Sequence, residues 1–317
     1  MTSIIETRCI EFFHLRVDNR NVILIDTPGF NDRDRSDTEI LQDLATWLTD
    51  TFAKNRLLSG ICYMHNITNP RFDATATDNS IMLHKLCGSA GMEIVALMTS
   101  MWDKCHEDQA VEVEFNDHEK ELREKYWEEL LEDGARMMRT YNNFSSNMEC
   151  IKSIIENNHR RILALQYQIS KEGRRLPATD IGAHVMTKAH SSELVLKHKL
   201  AQLDQLEAQR EQQNLAPSKT LAKQREKLEQ NLADARRDQA ALENWTWKDV
   251  GDSALVTFSG GMGGFFAVGG IGAAAESAIS YATATAFVVA DVVAIPLLAL
   301  GAVGVATVGG IWWHQDW

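Results

Sequence analysis

The chain has 317 residues, a formal net charge of −12 and a pI near 5.3. That length allows about two domains with a well-buried core, and that charge excludes general nucleic-acid binding, which needs a basic surface. Five scattered cysteines, with no C-x-x-C and no secretory signal, point to a reducing compartment rather than a disulfide framework.

In chain order, residues 9–17 alternate imperfectly and read as a strand, followed by a tight turn at Asp18-Asn19-Arg20. Asn21–Ile25 is a continuous apolar run ending at Asp26, as in a strand buried on both faces. Residues 37–55 show helical spacing, with Ile40, Leu41, Leu44, Trp47 and Leu48 on one side and Ser36 or Asp37 as N-cap. A second buried strand is predicted at 59–65, a helix at 75–87 and a third buried strand at 93–99. A charged helix over 107–133 and an edge strand at 136–141 complete an α/β pattern with a mostly parallel sheet.

From about residue 146 the pattern is helical alone. Stretches at 146–170 and 183–213 are separated by a loop at 173–180, and a third runs from Ser218 to Asn244 after Asn214-Leu-Ala-Pro217. Leu221, Leu228, Leu232, Ala235 and Leu242 form a heptad-like seam, matched by Leu196, Leu200 and Leu203. The short Pro-containing turn predicts an antiparallel hairpin, an ordinary interaction coiled coil. His159 and His190 lie in charged helical stretches and read as solvated side chains rather than metal ligands.

All 32 Lys and Arg residues fall at or before Lys248. Residues 254–275 and 292–313 are each charge-free for 22 residues, long enough to cross a hydrocarbon core about 30 Å thick. Trp245 and Trp247 precede the first stretch, Trp312, Trp313 and Trp317 close the second, and Gly260 and Gly264 make a G-x-x-x-G. The expectation is a membrane hairpin with both ends cytosolic and residues 276–291 near the far turn. A single span, a soluble Gly/Ala-rich core hairpin and a disordered tail are the alternatives. Asp252, Glu276 and Asp291 count against the membrane reading.

Two motifs carry chemistry. Asp26-Thr27-Pro28-Gly29 ends a buried strand, where the Asp can hold a Mg²⁺ through water and the Gly N–H can approach a terminal phosphate. Thr99-Ser100-Met101-Trp102-Asp103-Lys104 follows the strand 93–99, and a carboxylate there can accept from the ring N–H and exocyclic amine of guanine. On its own Asp103 would read as a helix N-cap; the order and distance of the two motifs favour the nucleotide reading.

On these residues, together with Asn21–Asp32, Arg35–Leu41 and Leu58–Tyr63, the segment 1–145 resembles the G-domain of septin-related, immunity-associated GTPases, and especially fungal G-domain proteins with helical C-terminal regions. The resemblance implies GTP and Mg²⁺ as ligands. It gives Asp26 and Gly29 the Mg²⁺ and γ-phosphate roles, gives Asp103 the guanine-specificity role, and makes Thr7 the candidate Mg²⁺-ligating switch-I threonine. Thr27, Pro28, Ser100 and Lys104 complete the implied nucleotide-binding set. Ser100 and Met101 replace the Asn and Lys of the usual Asn-Lys-x-Asp pattern, which weakens base recognition. Phe30 stands where many GTPases place a water-orienting glutamine, so intrinsic hydrolysis is expected to be slow or nil.

No G-x-x-x-x-G-K-[ST] phosphate-binding loop occurs in the sequence. In the family's sheet the strand leading into that loop lies centrally, beside the strand ending at Asp26. Its loss should leave two buried strands without a neighbour. The expected fold class is therefore α/β, an incomplete P-loop G-domain sheet followed by a coiled-coil hairpin and a hydrophobic helical C-terminal segment. The expected domains are 1–145, 146–248 and 249–317. The chain reads as an N-terminally incomplete form of a longer protein, with a degenerate paralogue as the alternative. Its expected function is that of a membrane-associated nucleotide switch or assembly GTPase on the cytoplasmic face of an intracellular membrane, with nucleotide binding impaired. Its partners would be membrane lipids and a second copy of itself, through the G-domain or the coiled coil. A nucleotide-independent pseudo-GTPase scaffold, membrane-anchored or in the cytoplasm, is the alternative.

Overall fold

The computed structural model describes residues 10–30, 35–68, 74–105, 109–141, 143–157, 159–246 and 284–289. Strands β1 (Glu11–Val17) and β2 (Arg20–Asp26) form an antiparallel hairpin. Its two turn residues, Asp18 and Asn19, both have positive φ, which matches hairpin turn twist to strand twist. Helix α1 (Asp37–Ala53) opens with a capping box, Ser36 Oγ accepting from the Glu39 N–H while Glu39 accepts from the Ser36 N–H. Then follow β3 (Leu58–Asn66), α2 (Ala74–Cys87), β4 (Val95–Ser100), α3 (Gln109–Glu121), α4 (Glu128–Glu132) and β5 (Arg136–Arg139).

The continuous helix expected over 107–133 is interrupted by a π-helical turn at Leu122–Tyr126. The extra residue rotates the helix face so that both Leu122 and Trp127 are buried, Trp127 edge-on to Tyr63 and His65. The stretch expected as one helix over 146–170 is two, α5 (Phe144–Asn157) and α6 (Ala164–Ser170). Between them Arg161 bridges to Leu58 and pairs with Glu93, so tertiary pairing overrides a local sequence that contains no breaker.

Helices α7 (Asp180–Gln212) and α8 (Lys219–Asn244) lie antiparallel. Arg225 reaches Asp204 and Glu207 near the turn, and Arg236 reaches Glu193 nearer the base. Leu203 and Leu242 of the seam are buried, and the rest are half-buried.

A sixth strand, β6 (Ala284–Val289), comes from the apolar C-terminal sequence, which has no Lys or Arg. The sheet order is β1-β2-β6-β3-β4-β5, with β6 antiparallel to both neighbours and β3, β4 and β5 mutually parallel. The neighbour expected to be missing beside β2 is thus supplied from the other end of the chain. This placement also corrects the membrane hairpin: residues 284–289 cannot sit near its far turn while paired inside the sheet. The stretches 254–275 and 292–313 lie outside the described residues, and among the described residues no helix is long and apolar enough to cross a membrane.

Strand alternation divides the core in two. Ile23, Ile25, Ile61, Tyr63, Val95 and Leu97 face one layer, closed by α1, α2, α3, α6 and the bases of α7 and α8. Val22, Leu24, Cys62, Met64, Ala96 and Met98 face the other, closed by Cys150, Ile151, Ile154 and Ile155 of α5. The first layer runs without a break from Ile23 to Leu242 and Trp245. Where α7 meets the short turn Leu176–Ala178, Gly182 makes close approach possible: a Cβ there would lie 1.8 Å from the Leu176 carbonyl oxygen.

Candidate functional site

Because β2 and β3 are both antiparallel to β6, they run parallel to one another and to β4. Asp26 and Ser100 are therefore strand ends on one edge of the sheet, the carboxyl edge at which open α/β sheets bind ligands. Three strand spacings separate β2 from β4, about 14 Å. After Asp26 the chain turns inward: Thr27, Pro28, Gly29 and Phe30 are all buried, Phe30 in the core beside α1. The Phe30 ring is occupied in packing and presents nothing to the edge. Thr7 lies outside the described residues.

Beyond β4, Met101 adopts a left-handed backbone, φ 70°, and a short turn Trp102–Cys105 carries Asp103 and Lys104. Trp102 anchors that turn. Its indole N–H donates to Thr99 Oγ1 at 2.9 Å, the Arg139 guanidinium lies 3.8 Å from the ring centroid, and Phe115 meets it edge-on. Arg139 is held in place by Glu119 and Asn116, and the hydrogen bond to Glu119 keeps its pKa above the usual value despite partial burial. One carboxylate oxygen of Asp103, Oδ1, is buried and makes no hydrogen bond among the described residues. Such an oxygen has lost its water without a replacement, a state that a ligand's N–H groups would relieve.

Two neighbours complete this end. The Ser100 hydroxyl donates to the His65 carbonyl at 3.2 Å and is thereby committed to joining β3 and β4. Asn66, paired with Ser100 across the ladder, accepts from Thr68 through Oδ1, while its buried Nδ2 makes no hydrogen bond among the described residues. Sequence reasoning did not single out Asn66. The only sequence signal is its place at the end of a buried strand, next in the fold to the position where the familiar motif has Asn.

At this end of the sheet Asp103 offers an acceptor and Asn66 an amide donor, the two kinds of group that the edge of a purine carrying N–H groups and a carbonyl would need. No comparable set of groups for a phosphate stands among the described residues. β6 meets this edge with its N-terminal end, Ala284 opposite Met64, and runs on to the far edge, so among the described residues no strand between β2 and β3 ends at this edge and leads out into a loop. Among the described residues no group of three or more His, Cys, Asp or Glu converges on a metal-sized site. Asp26 alone would be a Mg²⁺ ligand only together with phosphate oxygens and water. A scan against protein-family models and a search of curated proteins return no match to the chain.

Proposed function

We propose that this is a protein of the guanine-nucleotide-binding superfamily whose sheet retains the base-reading corner but not the phosphate cradle. In this reading it acts as an assembly component rather than as a hydrolase. The observation that carries it is the Asp103 carboxylate, held by Trp102 at the carboxyl end of β4 with one oxygen buried and without a hydrogen bond among the described residues. The α7–α8 hairpin, roughly 50 Å long at 1.5 Å per residue, is the surface through which it would assemble. The uncharged stretches on either side of β6 remain the candidates for contact with a membrane, and retention in the pellet after carbonate extraction of the full chain is the expected result.

A nucleotide-independent scaffold is the second reading, favoured by the direction of β6, whose carboxyl end lies at the edge away from Asp26 and Asp103. Equilibrium dialysis of the full chain with guanosine, GTP and ATP separates the two. Weak binding of guanosine and GTP with similar affinity, no binding of ATP, and loss of the preference in Asp103→Asn are expected. Equal retention of ATP and GTP would sink the base-reading assignment, and retention of neither nucleotide leaves the scaffold.

A further inference from the structure

β2 and β3 never touch along their ladders; a gap one strand wide separates them. Each is engaged on its outer side, β2 with β1 over seven positions and β3 with β4 over six. Their inner edges present two rows of backbone N–H and C=O groups to the gap. Both faces of the gap are walled by core, Ile25 and Tyr63 on one side, Leu24 and Cys62 on the other. Water cannot satisfy those groups, and a charged segment could not enter without stranding its charge. The gap therefore selects an extended, uncharged, β-branched segment.

The occupant answers that description. Ala284–Val289 has no charge and ends in Phe287-Val288-Val289. It pairs with β3 from Leu58 to Met64 but with β2 only at Leu24 and Ile25. Its hold is thus one-sided: β3 carries the strand and β2 is joined at two positions. In sequence, 37 residues lie between Thr246 and Ala284. A connection of that length can span up to about 120 Å, so the length of the chain alone does not fix the strand in the gap.

We propose that the gap between β2 and β3 is a strand-binding site for extended uncharged peptide segments, with the chain's own residues 284–289 as its tethered occupant. This uncharged segment of the C-terminal sequence then has a role inside the sheet, distinct from any contact with lipid. The site uses backbone addition, so affinity comes from two ladders and selectivity from the apolar walls. It does not rest on the nucleotide reading.

Cys62 lies directly opposite Ala286 in the ladder, which gives a test from a single substitution. Directly opposed antiparallel residues have Cα atoms about 4.5–5.5 Å apart, within disulfide reach. The full-length Ala286→Cys chain is unfolded under reducing conditions and refolded in glutathione redox buffer, since burial raises the native Cys62 thiol and slows its reaction once folded. The expected product is an intrachain disulfide joining positions 62 and 286 by peptide mapping, with none at 284 in Ala284→Cys, which faces Met64. Interchain bonds, or bonds spread over the other cysteines, overturn the proposal.

The second arm uses Ala286→Pro, whose strand lacks a ladder donor. A fluorescein-labelled peptide of residues 280–291 should raise its anisotropy on binding this variant roughly tenfold or more tightly than the parent, where the tethered strand competes at high effective concentration. Equal, or no, binding to the two proteins overturns the acceptor site even if the disulfide forms.

Discussion

The Trp102 indole donates to Thr99, lies against Arg139 and meets Phe115 edge-on, so its position sets the turn that carries Asp103. Trp102→Phe keeps most of the buried area but loses the hydrogen bond and part of the cation–π contact. A loss of about 1–2 kcal/mol in chemical denaturation is expected, with any guanine preference falling in parallel. Gly182→Ala is a second single-residue test. The added methyl would meet the Leu176 carbonyl, backbone that cannot swing aside, and a cost of about 1–3 kcal/mol should appear as a lowered midpoint. The places of Asp26 and Asp103 were readable because Asp26 closes one apolar run and Asp103 follows another by a few residues, a purely local pattern. The Asn66 amide, without a hydrogen bond among the described residues, and the commitment of the Ser100 hydroxyl to His65 were not, because both follow from β3 lying beside β4, a contact between residues far apart in sequence.

Helix α1 follows directly on the loop after Asp26, and its first turn is gripped by α7. Lys188 Nζ lies 2.6 Å from Asp37 of α1 and 2.5 Å from Asp78 of α2, while His184 Nε2 lies 2.7 Å from the other oxygen of Asp78. On the other side Gln42 of α1 donates to the Ala241 carbonyl of α8. Burial pushes the Asp78 carboxyl up, but the hydrogen bonds from Lys188 and His184 outweigh it and leave its pKa below 3.8. Burial likewise pushes Lys188 down, and hydrogen bonds to Asp37 and Asp78 outweigh it and leave its pKa above 10.5. A depressed carboxyl adds stability above its unfolded pKa and loses it as pH falls through the folded value. A raised amine adds stability below its unfolded pKa and loses it as pH rises through the folded value. The cluster should therefore stabilise fully between about pH 4 and pH 10. Lys188→Met is expected to lower the melting midpoint across that plateau, equivalent to about 1–3 kcal/mol, and to flatten the acid limb. Hydrogen exchange of α1 should rise with it; unchanged exchange would separate α1 from the hairpin. The hairpin itself was legible from heptad spacing. The grip was not, since charged residues on a helix read as a solvated face until a second helix is placed against them.

Among the described residues the protein is a two-faced sheet with most of its helices on one side and α5 on the other. Ile154 on α5 is almost fully buried against Leu24, Met64 and their neighbours. Ile154→Ala should cost about 2–4 kcal/mol and loosen β2 and β3 together, seen as a single lowered transition rather than two. The alternation of strands and helices up to residue 141 was visible in sequence because buried strands are short apolar runs between helical patterns. The sixth strand was not. Residues 276–291, set between two longer charge-free stretches, read as the far turn of a membrane hairpin, and nothing local marks a six-residue strand within them.

That strand has a consequence for how the protein is made. On the ribosome β2 and β3 emerge early, and the segment that joins them follows more than two hundred residues later. At synthesis rates of about 5–20 residues per second, the half-built sheet waits roughly 10–45 s with its central position vacant. During that interval nascent chains offer one another a matched site, and crowded synthesis on one messenger would favour exchange between them. Slowing translation after residue 66 should therefore raise the yield of insoluble or mispaired product, while the helical hairpin, whose contacts are local, forms on schedule.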